Sequence, residues 1–153
     1  MGGEERFNSI DYADPMIGRI LDAAEKCIHR YGIRRTAVGE VAKVGRFSRA
    51  SVYRYFADKE ALVEGVFARR RELFLNQAEA ALDAESSLVD KLTLSVVQGR
   101  QQMEEGLYAR LAGTEPDTVS AMYLDSRFYR RRVWFWPPQI REAQRAGAID
   151  PGV

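Results

Sequence analysis

The residues best equipped for chemistry in this 153-residue chain lie in the stretch VGRFSRASVYRYFADKE, residues 44–60. A planar arginine guanidinium can bond the O6 and N7 atoms of guanine, and serine and tyrosine hydroxyls can donate to phosphate. No acid occurs in the stretch before Asp58, so the pattern predicts contact with a polyanion. The basic residues are Arg46, Arg49, Arg54 and Lys59, and the hydroxyls between them are those of Ser48, Ser51, Tyr53 and Tyr55.

The distribution of charge along the chain is more informative than the net charge of +1. Residues 30–59 hold eight basic groups against two acids, whereas residues 61–125 hold eleven acids against six basic groups. A local positive excess is typical of a surface that meets nucleic acid. A solvated helix face would give the same pattern, and composition alone favours that second interpretation.

Helices must position these groups, because nearly every segment shows helical periodicity and none reads as a strand. Asp14 and Gly32 are expected to cap and stop the first helix, whose apolar stripe ends at Tyr31. Thr36 is expected to cap a short second helix that Gly45 breaks. The fold class predicted is all-α, with three short helices followed by a longer helical body.

The third predicted helix begins at the cap residue Ser48 and continues to about Phe56, and Asp58 caps a long fourth helix. Two short helices joined by a tight break form a helix-turn-helix, whose second member can enter the major groove of DNA. At about 100° per residue, the third helix has two faces. Val52 and Phe56 lie on the anchoring face, and the outward face consists of Arg49, Ala50, Tyr53 and Arg54.

The rest of the chain is predicted to be a helical body rich in aromatic residues. Pro137 and Pro138 are expected to kink or split its last helix, predicted over 126–146. A kinked helix cannot pack closely along its whole length, so we expect a cavity there for a flat or apolar ligand. Most of the rings are core candidates. The inner positions of the fourth helix include Leu73 and Phe74, and the expected cavity lining is Met103, Tyr108, Trp134 and Trp136.

A second group of basic residues lies near the end of the chain and admits two interpretations. It is a solvated face or a set of partners for the acidic middle segment, or it binds an anionic ligand. The single cysteine, Cys27, excludes an internal disulfide, and both Cys27 and His29 are interpreted as structural. The group consists of Arg127, Arg130, Arg131, Arg132, Arg141 and Arg145.

Residues 17–67 resemble the DNA-binding domain of the TetR family of bacterial transcription regulators. The resemblance rests on the opening ILDAAEKCIHRYG, on Thr36, on the pair Val41-Ala42 and on the ungapped SRASVYRYFADKEAL. It implies a DNA-binding domain over 16–60 after an arm over 1–15, and a variable effector-binding body over 61–153. It also implies a homodimer that releases its operator when a small molecule binds. Family members commonly continue into two further helices, which this chain is expected to lack.

The resemblance implies roles for individual residues. Thr36 corresponds to a phosphate contact at the start of the second helix, and Tyr53, Tyr55 and Lys59 correspond to further phosphate contacts. Arg54 corresponds to a position that reaches bases or backbone. The front of the recognition helix corresponds to Ser48, Arg49, Ala50 and Ser51.

One departure from the family pattern falls in the turn between the second and third helices. Members usually place a small residue and then a glycine there, whereas here Gly45 comes first and Arg46 takes the glycine position. Either Arg46 adopts a left-handed conformation, at a cost of about 1–2 kcal/mol, or the turn has another shape. Arg46 is a further candidate for a phosphate contact.

The pattern favours a cytoplasmic, nucleoid-associated DNA-binding regulator over two alternatives, and the resemblance implies a repressor that a small molecule releases from its operator. An enzyme would need a nucleophile and base, a metal cluster or a cofactor loop, and the sequence shows no such motif. We therefore expect no catalytic activity, cofactor, metal or membrane partner. A helical protein-interaction module would use the arginine-rich face to meet an acidic protein partner, without binding DNA specifically.

Overall fold

The computed structural model describes residues 14–84, 87–104, 106–117, 126–150 and 152. Every regular element in these ranges is a helix, which confirms the all-α prediction. None of the helices there is long and apolar enough to cross a membrane. The helices are α1 (Pro15–Tyr31), α2 (Val38–Gly45), α3 (Arg49–Tyr53), α4 (Lys59–Asp83), α5 (Leu88–Glu104), α6 (Gly106–Ala112) and α7 (Ser126–Arg145).

Helix α1 has the ends that its sequence predicts. The Asp14 carboxylate accepts a hydrogen bond of 2.7 Å from the Met16 amide, and Gly32 closes the helix at a φ of 79°. The apolar stripe is buried up to Ile28, but Tyr31 is exposed, contrary to expectation. Its ring lies beneath the Arg30 guanidinium instead, at 5.4 Å. Burial raises the pKa of the Cys27 thiol, helped by Glu40 and opposed by Arg30, so this thiol stays neutral.

Thr36 does not cap α2, so that prediction was wrong. Ala37 holds the N-cap position and makes no side-chain cap bond. The Thr36 hydroxyl points back and donates to the Gly32 carbonyl at 2.8 Å, and the residue is only 3% exposed. The hydroxyl therefore satisfies a carbonyl at the end of α1, where helical partners are lacking.

The turn between α2 and α3 explains the exchanged order of Gly45 and Arg46. Arg46 has φ 57° and ψ 44°, so this arginine does adopt the left-handed conformation. A Cβ atom on Gly45 would lie 2.0 Å from Cε2 of Phe47, whose ring covers this position. Glycine is thus required at 45 for space, and the left-handed residue follows it. The Arg19 guanidinium lies over the same Phe47 ring, at 5.2 Å.

The caps predicted for α3 and α4 are both present. The Ser48 hydroxyl accepts from the Ser51 amide at 2.9 Å, and the Asp58 carboxylate accepts from the Ala61 amide at 2.7 Å. Helix α3 ends at Tyr53, a little before the predicted Phe56. Turn-like backbone bonds continue beyond it, including one from the Phe56 amide to the Val52 carbonyl at 3.0 Å.

The chain divides into two compact units, and the boundary falls within α4, between Arg70 and Arg71. In the first unit α4 is joined to α1 by ion pairs. Arg69 lies 2.8 Å from the Asp22 carboxylate and also donates to the Gly18 carbonyl, while Arg70 pairs with Glu25. The first three turns of α4 therefore belong with α1, α2 and α3.

The second unit contains the end of α4 together with α5, α6 and α7. Helix α7 runs through Pro137 and Pro138 without a break, so the predicted split does not occur. Two prolines remove only two helical donors, and a bond of 2.6 Å from Lys91 of α5 to Gln139 holds α7 just beyond them. Leu73 of α4, expected inside, is 53% exposed.

Candidate nucleic-acid interface

Helix α3 presents the two faces that its sequence predicts. Val52 and Phe56 are buried and anchor the helix in the first unit. The opposite face is open to solvent and carries Arg49, Ala50, Tyr53 and Arg54, with Tyr53 49% exposed. The buried pair fixes the helix while two guanidinium groups and a phenol face outward. Such a face can meet base edges and phosphates together.

Arg49 lies against helix α2, in a contact that the sequence did not reveal. A Cβ atom on Gly39 would lie 2.9 Å from Nη2 and 3.0 Å from Nε of Arg49. The guanidinium thus uses the space that a glycine leaves on α2. A glycine inside a helix costs about 0.8–1 kcal/mol relative to alanine. A glycine inside α2 was thus the sequence signal for this contact, but the sequence does not show that Arg49, ten residues later, fills the space.

Arg54 and Tyr55 form a pair on the exposed side of the turn after α3. Nη2 of Arg54 donates to the Tyr55 hydroxyl at 2.9 Å, and the guanidinium lies 4.9 Å from the ring centroid. The Tyr55 hydroxyl accepts in this bond, so its own hydrogen remains available to an acceptor such as phosphate. The half-buried Tyr55 ring thus packs against the protein, while its hydroxyl remains able to form polar contacts.

Lys59, the first residue of α4, has a protein partner. Its Nζ donates to the Arg34 carbonyl in the loop between α1 and α2, at 3.0 Å. This contact gives the ammonium a partner at a helix end where a cation is otherwise unfavourable. An ammonium carries three donors, so the group keeps donors for a phosphate oxygen.

Ser48 and Ser51 share their hydroxyl hydrogens. Their Oγ atoms lie 2.7 Å apart, and either one can donate to the other. One hydrogen is used between them, and the second remains free to reach a phosphate. Arg46 is exposed in the adjacent turn.

Thr36 differs from the other candidates for phosphate contact. Its hydroxyl and its amide both donate to the Gly32 carbonyl, and the residue is buried. A phosphate could gain a bond from Thr36 only if the end of α1 lost one. The Thr36 hydroxyl is thus used at the end of α1, whereas the remaining candidates lie on or beside α3.

The second unit contains a small cavity that is partly open to solvent. Trp136 lines it, as expected, whereas Trp134 is 70% exposed and does not. Consecutive residues of a helix point about 100° apart, so two tryptophans spaced by two cannot both face inward here. The side chains of Met103 and Tyr108 lie outside the described part. The apolar walls are Phe74, Leu75, Ala78, Leu82, Phe135 and Trp136.

Arg131 of α7 is held by the side chains of α4. Its guanidinium makes two bonds to the Glu79 carboxylate, at 2.8 and 2.7 Å, and further bonds to Glu72 and Asn76. Hydrogen bonding to Glu79 raises the pKa of Arg131 further above its already high value. Arg131 therefore forms ion pairs with the acidic middle segment, which is the first of the two interpretations of the second basic group.

Comparison with known proteins agrees with this geometry. The family model described as "Bacterial regulatory proteins, tetR family" matches residues 20–66, which include α2, α3 and the start of α4. Over 135 residues the chain is 21% identical to the uncharacterized HTH-type transcriptional regulator YhgD of Bacillus subtilis, covering 86% of this chain and 71% of YhgD. It spans only about two fifths of the length of five further curated regulators.

Two solved structures share the fold. The fatty acid degradation regulator FadR from Bacillus halodurans superposes with a TM-score of 0.70 at 18% identity, over 91% of this chain and 73% of that one. FadR from Bacillus subtilis, in complex with stearoyl-CoA, gives 0.66 at 17% identity, over 89% and 75%. At these identities the likeness establishes the fold alone. Residues 20–66 are therefore similar to bacterial regulatory proteins of the TetR family, and the chain shares its fold with the two FadR structures.

Proposed function

We propose that this chain is a sequence-specific DNA-binding regulator that places α3 in the major groove of its operator. The observation that carries the proposal is the outward face of α3, where Arg49, Tyr53 and Arg54 are exposed while Val52 and Phe56 are buried. The buried anchor fixes the position of the helix, and with it the backbone positions from which the two arginines extend. The activity is binding rather than catalysis, because this site consists of base- and phosphate-contacting groups.

The candidate residues take two kinds of role in the proposal. Arg49 reads a base edge, since a bidentate arginine contact to guanine is the commonest specific one. Arg54 contacts a base or the backbone, and Ala50 lies close to the bases. The other residues fix the position of the protein through phosphates, which carry little sequence information. They are Arg46, Ser48, Ser51, Tyr53, Tyr55 and Lys59.

We further propose that the regulator is a repressor that leaves its operator when a small molecule enters the cavity of the second unit, and that it acts as a homodimer on chromosomal DNA in the cytoplasm. FadR from Bacillus subtilis was solved with stearoyl-CoA, which supports ligand binding within this fold. The alternative, an interaction module with an arginine-rich face, is weakened because Arg131 already binds Glu72 and Glu79 of its own chain.

Fluorescence anisotropy with labelled duplexes tests the DNA-binding proposal. The purified chain is titrated with DNA from upstream of its own gene and with a shuffled duplex, each at two salt concentrations. We expect tighter binding to the upstream DNA and a steep loss of affinity with salt for both duplexes, because phosphate contacts release counterions. Equal, weak binding to both duplexes would favour the interaction module instead.

A further inference from the structure

We propose that the cavity of the second unit takes an uncharged, flat aromatic molecule that carries one hydrogen-bond donor. This inference rests on the proposed ligand response and names the chemical class of the effector. It is argued from three features of the cavity wall: its rings, the amide of Gln98 and the occupied carboxylate of Glu79.

The first feature is the shape and polarity of the wall. Phe135 and Trp136 meet edge to face, with ring centroids 5.2 Å apart and an interplanar angle of 89°. Phe74 lines the same space from α4, and aliphatic side chains of α4 complete that wall. Aromatic rings pack favourably against other rings in offset or perpendicular arrangements. The wall therefore suits a flat ring system.

The second feature is the amide of Gln98 on α5. Its Oε1 atom is buried and accepts no hydrogen bond from any residue that the structure describes. A buried acceptor without a donor is costly, and natural proteins seldom keep one. The terminal torsion of glutamine is soft, so the amide can turn its oxygen towards a ligand in the cavity that Gln98 lines. A hydroxyl or N–H on the ligand would supply the missing donor.

The third feature is the charge at the cavity wall. The Glu79 carboxylate lines the cavity, and both of its oxygens accept from Arg131. Arg131 also binds Glu72, so two carboxylates share one guanidinium. The described lining residues include no cation for an anionic ligand, and a cationic ligand would have to compete with Arg131 for the Glu79 oxygens. A neutral ligand meets neither penalty.

Isothermal titration calorimetry of the full chain with three naphthalene probes tests the inference. 2-Naphthol is flat, is uncharged at pH 7 and carries one donor. 2-Methoxynaphthalene lacks the donor, and 2-naphthoate replaces it with a negative charge. We expect 2-naphthol to bind about five- to tenfold more tightly than 2-methoxynaphthalene, which is the effect of one hydrogen bond, and 2-naphthoate to bind most weakly.

Two variants attribute that difference to the cavity. Gln98→Met keeps the length of the side chain but removes the acceptor, so it should lower the affinity for 2-naphthol to that for 2-methoxynaphthalene. Gly99 also lines the cavity, and a Cβ atom there meets nothing within 4 Å. Gly99→Leu should therefore fold normally, as thermal melting will show, and bind none of the three probes. Gln101→Leu, at an exposed position of the same helix, is the matched control and should bind as the parent does.

The outcomes separate this inference from the DNA-binding proposal. Tighter binding of 2-naphthoate than of 2-naphthol would overturn the inference, as would a preference for 2-naphthol that Gln98→Met leaves unchanged. Failure of all three probes to bind would overturn it as well. None of these measurements contains DNA, so their outcome is independent of the anisotropy titrations that test DNA binding.

Discussion

Both units bury apolar side chains, such as Ile20 and Phe67 in the first and Leu107 and Leu111 in the second, but the second also leaves Val96 and Trp134 72% and 70% exposed. The two units also differ in the charged groups that the proposals use. The first unit carries the α3 cations outside, while the second binds Arg131 between two glutamates. The first unit thus puts its chemistry on a surface supported by a packed core. The second contains a lined cavity, which we propose binds the effector.

The largest expected effect compares the stability contributed by a buried apolar side chain of the first unit with that of an exposed one in the second unit. Phe56 is buried beneath α3, so Phe56→Ala should lower the free energy of unfolding by about 3–5 kcal/mol. Val96 is exposed on α5, and Val96→Ala should change it by no more than about 0.5 kcal/mol. Urea denaturation followed by circular dichroism measures both. Similar losses for the two variants would abolish the contrast.

The next effect concerns the turn that supports the outward face. Gly45→Ala places a methyl group 2.0 Å from the Phe47 ring, so the ring must move, at a cost of about 1–3 kcal/mol in stability. Gly18→Ala in α1 meets nothing within 4 Å and should stabilise by up to about 1 kcal/mol. Thermal melting compares the two, and a neutral Gly45→Ala would show that the ring does not need this space.

An effect of similar size is expected on DNA binding, where it separates base contacts from phosphate contacts. Arg49→Ala should cost about 1–3 kcal/mol on the cognate duplex only, because it removes a base contact. Lys59→Ala should weaken binding to all sequences alike and lower the salt slope. Anisotropy on specific and shuffled duplexes separates the two roles. Equal losses on both duplexes for Arg49→Ala would refute its base-reading role.

The smallest effect concerns Arg46. Because its φ is 57°, Arg46→Gly should relieve the left-handed strain and stabilise the fold by about 1 kcal/mol. The same change removes an exposed cation beside α3 and should weaken binding to every duplex. A loss of stability in thermal melting would contradict the strain. Unchanged DNA affinity would remove Arg46 from the contact surface.

Local chemistry made part of this structure predictable. The caps at Asp14, Ser48 and Asp58 and the two faces of α3 depend on neighbouring residues, and the structure confirms them. Thr36 was misassigned because a hydroxyl between two helices can serve either one, and the path of the loop decides.

Contacts between distant segments were beyond the reach of the sequence pattern. The glycine at position 39 is explained only by the contact of the Arg49 side chain with α2. Leu73 was misplaced because α4 changes from one unit to the other, so a single apolar stripe does not describe the whole helix. The exposed Trp134 shows the same limit, since aromatic content alone does not say which ring faces a cavity.

The bond from Lys59 to the Arg34 carbonyl has a consequence for the entropy of DNA binding. A free lysine at a DNA surface must give up much of its rotamer freedom when it meets a phosphate, which costs about 0.5–1.5 kcal/mol. Here that freedom is already restricted during folding, in a half-buried side chain that still has hydrogens to donate. In the proposed complex, phosphate would therefore meet a lysine that is already ordered, and less of the contact energy would be lost to immobilising it.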